Sequence, residues 1–263
     1  MPNLLSNVPD ELSALLDGMA KDFPVLLDSN LVGIYVWGSL SYEAFDEICS
    51  DVDLVAVIRR DLDEREFSRV DQWFYETGKR NAWVKRIDMR FVIAGEFLDK
   101  NSRCCGFYSY LDKLTRHGSD GNPIIWINIG TSGITLWGQD AKTIAPQVTS
   151  ECLSGALQLE LEYLKEDLAA NAGRRTDKAF IHNSYSILTA CRILYSAWHG
   201  TLISKDQASA WALETVPPAQ RNVIRRAREN RLRVCGSTTP ELEQDAMGFV
   251  DFVVSELRHK AGL

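Results

Sequence analysis

The sequence has no basic surplus. Lys and Arg number 29 against 36 Asp and Glu, a formal net charge of −7 at pH 7, with a pI near 5.2. Proteins that neutralise nucleic-acid phosphates usually carry the opposite balance, so a polynucleotide partner is not expected. An acidic field suits a cationic small molecule better. Long hydrophobic runs are also missing. The stretch Val52–Ile58 is among the longest and is broken by the charge of Asp53, well short of the roughly 18 residues that a membrane helix requires. The N-terminal MPNLLSNVPDELSALL has no basic n-region and carries acids early, unlike a signal peptide. No membrane partner and a cytoplasmic location are therefore expected. Cysteines occur singly or side by side at Cys49, Cys104, Cys105, Cys152, Cys191 and Cys235, with no CxxC pair, and the four histidines show no ligand spacing. That argues against a zinc site and for reduced thiols. There is no repeat and no low-complexity stretch.

What is present divides the chain in two. Leu12, Leu15, Leu16, Met19 and Phe23 recur at helical spacing within residues 4–27, with Asn7 or Asp10 as a cap and Pro24 as a stop. LVGIYVWG at 31–38 and SDVDLVAVI at 50–58 read as strands, with SYEAF between them as a short helix. Residues 62–80 read as a helix and WVKRIDMRFVIAG at 83–95 as a third strand. Two further short strands are expected at 124–129 and 133–136. From Ser150 the pattern becomes helical. Leu153, Leu157, Leu161, Leu164 and Leu168 step by three and four residues, and helices follow at about 178–199, 204–214, 221–231 and 240–260. The expected fold is α+β: a mixed sheet flanked by helices over residues 1–150, then an all-α bundle over 151–263.

The chemistry concentrates in Gly38-Ser39, eleven further residues, and Asp51-Val52-Asp53. Strand periodicity directs Asp51 and Asp53 to one face. Two carboxylates there repel each other beside the apolar run LVAV, and a divalent cation resolves the repulsion. Mg²⁺ suits such a site, because it binds one or two carboxylates and completes its shell with phosphate oxygens. A Gly at the end of the first strand allows close approach of a phosphate, and the Ser hydroxyl can hold it. Asp88 lies mid-strand, with Ile87, Met89 and Phe91 on the opposite face. If its strand neighbours Asp51–Val57, the three acids meet, and Asp88 either ligates metal or deprotonates an attacking hydroxyl.

A glycine-serine pair followed by DxD and a later strand acid resembles the polymerase-β-like nucleotidyltransferase superfamily. Residues 185–213, YSILTACRILYSAWHGTLISKDQASAWAL, are similar to the helical domain of the aminoglycoside adenylyltransferases that modify streptomycin and spectinomycin. The match includes Leu188-Thr189, Arg192, Tyr195, Gly200, Lys205-Asp206 and Ala210-Trp211-Ala212-Leu213. The resemblance implies that Asp51 and Asp53 hold the magnesium that bridges the ATP phosphates, with Gly38 and Ser39 beside them. It implies that Asp88 is the general base, also within reach of the metal. The base is commonly Glu in that family, and Asp88 is shorter by one methylene. Arg192 and Lys205 are implied to reach the ATP phosphates from a helical domain that closes the nucleotide and substrate cleft. ATP is the implied co-substrate, a small-molecule hydroxyl the acceptor, and a monomer sufficient.

The expected activity is transfer of AMP from Mg-ATP to a hydroxyl of an aminoglycoside or aminocyclitol, with release of pyrophosphate. The strand motifs alone leave open a protein-modifying nucleotidyltransferase and a non-catalytic nucleotide-binding module.

Overall fold

A computed structural model of the chain describes residues 8–108, 111–119, 121–174, 177–231 and 240–261. Asn7 and Cys235 lie outside them. The chain divides into two compact units, Met1–Val148 and Thr149–Leu263.

The first unit is built on a six-stranded sheet in the order β5-β4-β3-β2-β1-β6. The strands are β1 (Leu31–Trp37), β2 (Val52–Ile58), β3 (Ile87–Ile93), β4 (Arg103–Tyr108), β5 (Lys113–Gly118) and β6 (Ile134–Gly138). Every pairing is antiparallel except β2 with β3. A parallel pair requires a crossover, here helix α2 (Glu64–Gly78). Its start is set by a capping box: the Asp63 side chain accepts the N–H groups of Arg65 and Glu66, and Glu66 returns a bond to Asp63. Such a cap contributes about 1 kcal/mol.

Strand alternation sorts the side chains into two layers. Ile34, Val36, Leu54, Ala56, Met89, Phe91 and Phe107 enter a core shared with α1 (Asp10–Leu27) and α2. Phe23 of α1 meets Trp73 and Phe74 edge-on at 5.0 and 5.9 Å. Tyr35, Val55, Val57, Val92 and Cys104 face the other way, toward α3 (Pro123–Ser132) and the short α4 (Ala141–Ile144).

Five local expectations are corrected. Pro24 lies inside α1, which runs one turn further to Leu27. Pro in a helix interior costs about 3 kcal/mol, but the full burial of Phe23 and Leu27 holds the last turn in place. Asp10 is the first helical residue rather than its cap. Residues 41–43 are a turn and 44–45 are irregular, not a helix. Residues 82–86 are a 3₁₀ turn that precedes β3. Residues 124–129 are helical, not extended: Asn122 caps the Ile124 N–H and Pro123 occupies the first turn, where a missing N–H costs nothing.

The second unit is helical among its described residues: α5 (Ser150–Asn171), α6 (Asp177–His199), α7 (Lys205–Thr215), α8 (Pro218–Arg231) and α9 (Pro240–Ala261). Helix α6 is central and packs on the other four. All five periodic leucines of α5 are buried. Among the described residues no helix is long and apolar enough to cross a membrane.

Candidate active site

Strand β1 ends at Trp37, and the chain reverses through Gly38 and Ser39. Gly38 has φ +70°, a conformation that costs any other residue. Space reinforces the requirement, because a Cβ at this position would overlap the Asp53 carboxylate. The Gly38 N–H donates to Asn128 Oδ1 at 2.6 Å. Ser41 Oγ donates to the Gly38 carbonyl at 2.9 Å. Asn128 Nδ2 donates to Ser41 Oγ at 3.0 Å and to Ser132 Oγ at 2.6 Å. A buried amide on α3 therefore sets the turn that carries Ser39.

Within this turn the Ser39 Oγ is buried and has no hydrogen-bond partner among the described residues, and the same holds for Trp37 Nε1 at the end of β1. Leaving a buried donor unpaired costs about 1–3 kcal/mol. Two such donors flanking a glycine turn are suited to the oxygens of a bound anion.

The carboxylates follow from register. Asp53 is the ladder partner of Trp37 on one side and of Asp88 on the other. Registered partners share a face, on strands about 4.8 Å apart. The structure thus brings Asp53 and Asp88 together, both half-buried. Asp51 is exposed, one residue before β2. Its loop is held from β3's side of the sheet: Arg86 donates to the carbonyls of Glu47 (2.6 Å) and Ser50, with its guanidinium 4.3 Å from the Trp83 ring centroid. The Asp46 side chain accepts the N–H groups of Ile48 and Cys49 at 2.8 and 3.2 Å.

Among the described residues no three His, Cys, Asp or Glu side chains form a ready-made metal cage. Magnesium needs none, since one or two carboxylates suffice when phosphates supply further oxygens. Asp53 and Asp88, with Asp51 adjacent, fit Mg²⁺ delivered with a nucleotide, and the unpaired Ser39 hydroxyl fits a phosphate oxygen beside it.

In the second unit, Lys205 opens α7 behind a Ser204–Gln207 capping box. Its Nζ lies 3.7 Å from the centroid of the Tyr185 ring on α6. Arg192 lies two turns beyond Tyr185, on the same side of α6. It is half-buried and makes no hydrogen bond or ion pair to the described residues. The hydroxyls of Thr189 and Ser196 on α6 are buried and likewise unpartnered.

Asn128 and Arg86 escape motif reading. The one available signal for Asn128 was Asn122-Pro123, a cap and first-turn proline, which turns the supposed strand into a helix and aims Asn128 at Gly38.

Comparison with known proteins follows the same division. Residues 144–256 match the family described as aminoglycoside adenylyltransferase, C-terminal domain. No curated protein matches the chain in sequence. Among solved structures, the fold is similar to that of the spectinomycin adenyltransferase AAD(9) from Enterococcus faecialis, determined with ATP and spectinomycin. The TM-score is 0.70 at 17% identity, covering 93% of this chain and 99% of the other.

Proposed function

We propose, from the similarity of residues 144–256 to the C-terminal domain of the aminoglycoside adenylyltransferases, that this chain transfers AMP from Mg-ATP to a hydroxyl of an aminoglycoside or aminocyclitol antibiotic. The observation that carries the proposal is the ladder pairing of Asp53 with Asp88 beside the Gly38 turn, where the Ser39 hydroxyl lacks a partner.

In this reading the first unit does the chemistry. Ser39 donates its hydroxyl proton to a phosphate oxygen, on a turn whose glycine leaves room for Asp53. Asp51 and Asp53 would hold magnesium, with Asp88 available as a further ligand, and the ion would offset charge on the attacking and leaving oxygens. Asp88 accepts the proton of the acceptor hydroxyl. The oxygen forms a bond to the α-phosphorus as the bond to pyrophosphate breaks in line. Arg192 and Lys205 supply cations to the nucleotide phosphates, the role that Arg and Lys commonly fill in such transfers.

The test is pyrophosphate release from Mg-ATP against streptomycin, spectinomycin and unrelated aminoglycosides, with Asp53→Asn as the blank. Release with one drug, absent in the variant, is the expected result. No release with any drug, while ATP still binds, would overturn the antibiotic acceptor.

A further inference from the structure

Several cations of the second unit are spent on fixed partners. Lys165 pairs with Asp251, Arg226 with Asp245 and Arg231 with Asp206. Arg228 donates to Ser209 Oγ and to the Asp206 carbonyl.

Lys205 is held differently. It is the first residue of α7, where the positive end of the helix dipole disfavours a cation. The acid beside it, Asp206, has its carboxylate on Arg231 at 2.7 Å. The Lys205 ammonium stands instead over the π face of Tyr185 on α6, with Nζ 3.7 Å from the ring centroid.

A ring and a carboxylate hold a cation in different ways. A carboxylate neutralises it and competes with any anion that arrives. An aromatic face attracts the ammonium through its quadrupole and leaves the net charge in place. A Lys nitrogen carries three N–H donors, so a ring on one side leaves donors free for oxygen. Tyr185 is 38% exposed, too open to count as a core element of the bundle. Its contact with Lys205 is therefore separable from the packing of α6.

We propose that Tyr185 is a positioning residue for Lys205: its ring fixes the ammonium, with its charge intact, for a phosphate oxygen of the nucleotide. This rests on the contact between Lys205 and the nucleotide phosphates proposed above. A free Lys side chain spreads over many rotamers, and ordering it on binding costs affinity. A ring that orders it beforehand removes part of that cost.

Nuclear magnetic resonance of the full chain with ¹³C-dimethylated lysines reads the contact without nucleotide. The Lys205 methyl signal, assigned by its loss in Lys205→Arg, is expected upfield of those of exposed lysines because of the ring current of Tyr185. Tyr185→Leu is expected to return it to their position, and Tyr185→Phe to keep it upfield. Calorimetric titration with Mg-ATP reads the consequence. Tyr185→Leu is expected to weaken binding about three- to fivefold, the size of one partly exposed cation–π contact. Tyr185→Phe is expected to stay within about twofold of the parent. In a Lys205→Gln background, Tyr185→Leu is expected to add nothing further. Thermal unfolding checks that each variant is folded, and Tyr185→Gln replaces Tyr185→Leu if that one is not. An unshifted Lys205 signal in the parent overturns the positioning role and leaves the transfer reading standing. So does parent-like ATP binding by Tyr185→Leu while Lys205→Gln loses affinity. An equal loss from Tyr185→Leu in the Lys205→Gln background also overturns it, as an effect on the bundle and not on Lys205. Parent-like ATP affinity in Lys205→Gln overturns the phosphate contact of Lys205, and the positioning role falls with it.

Discussion

Asn128 accepts the Gly38 N–H at 2.6 Å across 90 residues of chain. It is 1% exposed, and its amide nitrogen bonds two serine hydroxyls, Ser41 and Ser132. The bond couples a helix on the sheet's second face to the turn that presents Ser39.

Asn128→Ala should therefore act on stability and on nucleotide binding together. The Gly38 N–H would remain buried without its acceptor, a loss of about 1–3 kcal/mol, read as a lower midpoint in urea at unchanged slope. The turn that holds Ser39 would lose its brace, so the ATP KM should rise while the acceptor KM stays. An ATP KM equal to that of the parent would show that the turn holds its shape without Asn128.

Arg86 governs Asp51 at one remove. Its two nitrogens fork onto the carbonyls of Glu47 and Ser50, which close the loop directly before Asp51. Arg86→Ala should release that loop and raise the magnesium concentration needed for half-maximal turnover, at a stability cost of about 1–2 kcal/mol. Arg86→Lys should recover little, because an ammonium does not reproduce a planar fork. Magnesium titrations of both variants decide it. An unchanged requirement would mean that Asp51 is placed by β2 alone.

The parts legible in the sequence share a physical trait. Strands β1 and β2 are β-branched and aromatic runs bounded by turns, and α5 repeats leucine over about four turns, so local pattern and burial agree. The face that carries Asp88 followed from alternation, with Ile87, Met89 and Phe91 all fully buried, but Asp88 is the second residue of β3 and not mid-strand, because residues 82–86 are a 3₁₀ turn. Strands β4 and β5, RCCGFY and KLTRHG, are short, hold a glycine each, and carry polar residues on a face that is partly solvated. They were not expected, and the pairing of β3 with β4 went unseen with them. Pro24 misled for the opposite reason: a strong local stop yielded to tertiary packing by Phe23. Asn128 and Arg86 act through long-range hydrogen bonds, which leave no periodic trace.

Tyr35 offers a pH test in the scaffold. Its ring is buried, its hydroxyl has no partner among the described residues, and burial, aided by the nearby Asp140 carboxylate, pushes its pKa up to about 12 from 10.0. The folded state thus holds this proton through a range in which the unfolded state releases it. With the unfolded chain binding fewer protons, stability falls as pH rises from about 10 toward 12. Tyr35→Phe removes both the unpaired hydroxyl and this titration. It should equal or exceed the parent in stability at pH 7 and lose less between pH 10 and 12. An equal alkaline loss in both proteins would assign that loss to other groups.

Asp53 and Asp88 are neighbours in register, but the proposed roles differ, and substitution can separate them. Asp53 is surrounded by the fixed parts of the nucleotide site: Gly38 against its carboxylate, Trp37 and Asp88 as ladder partners. Asp53→Asn removes a metal-binding charge, so both turnover and magnesium-dependent ATP affinity should fall. Asp88 lies one strand further out, between Asp53 and Tyr108, on the side where the acceptor would approach. Asp88→Asn should lower turnover by about 10²–10⁴, the usual contribution of a general base, and leave ATP binding close to that of the parent. Calorimetric ATP titration alongside turnover distinguishes the two. If Asp88→Asn loses ATP as completely as Asp53→Asn, Asp88 belongs to the metal rather than to the hydroxyl. If it keeps full turnover, neither role is its own, and the proton must leave the acceptor by another route.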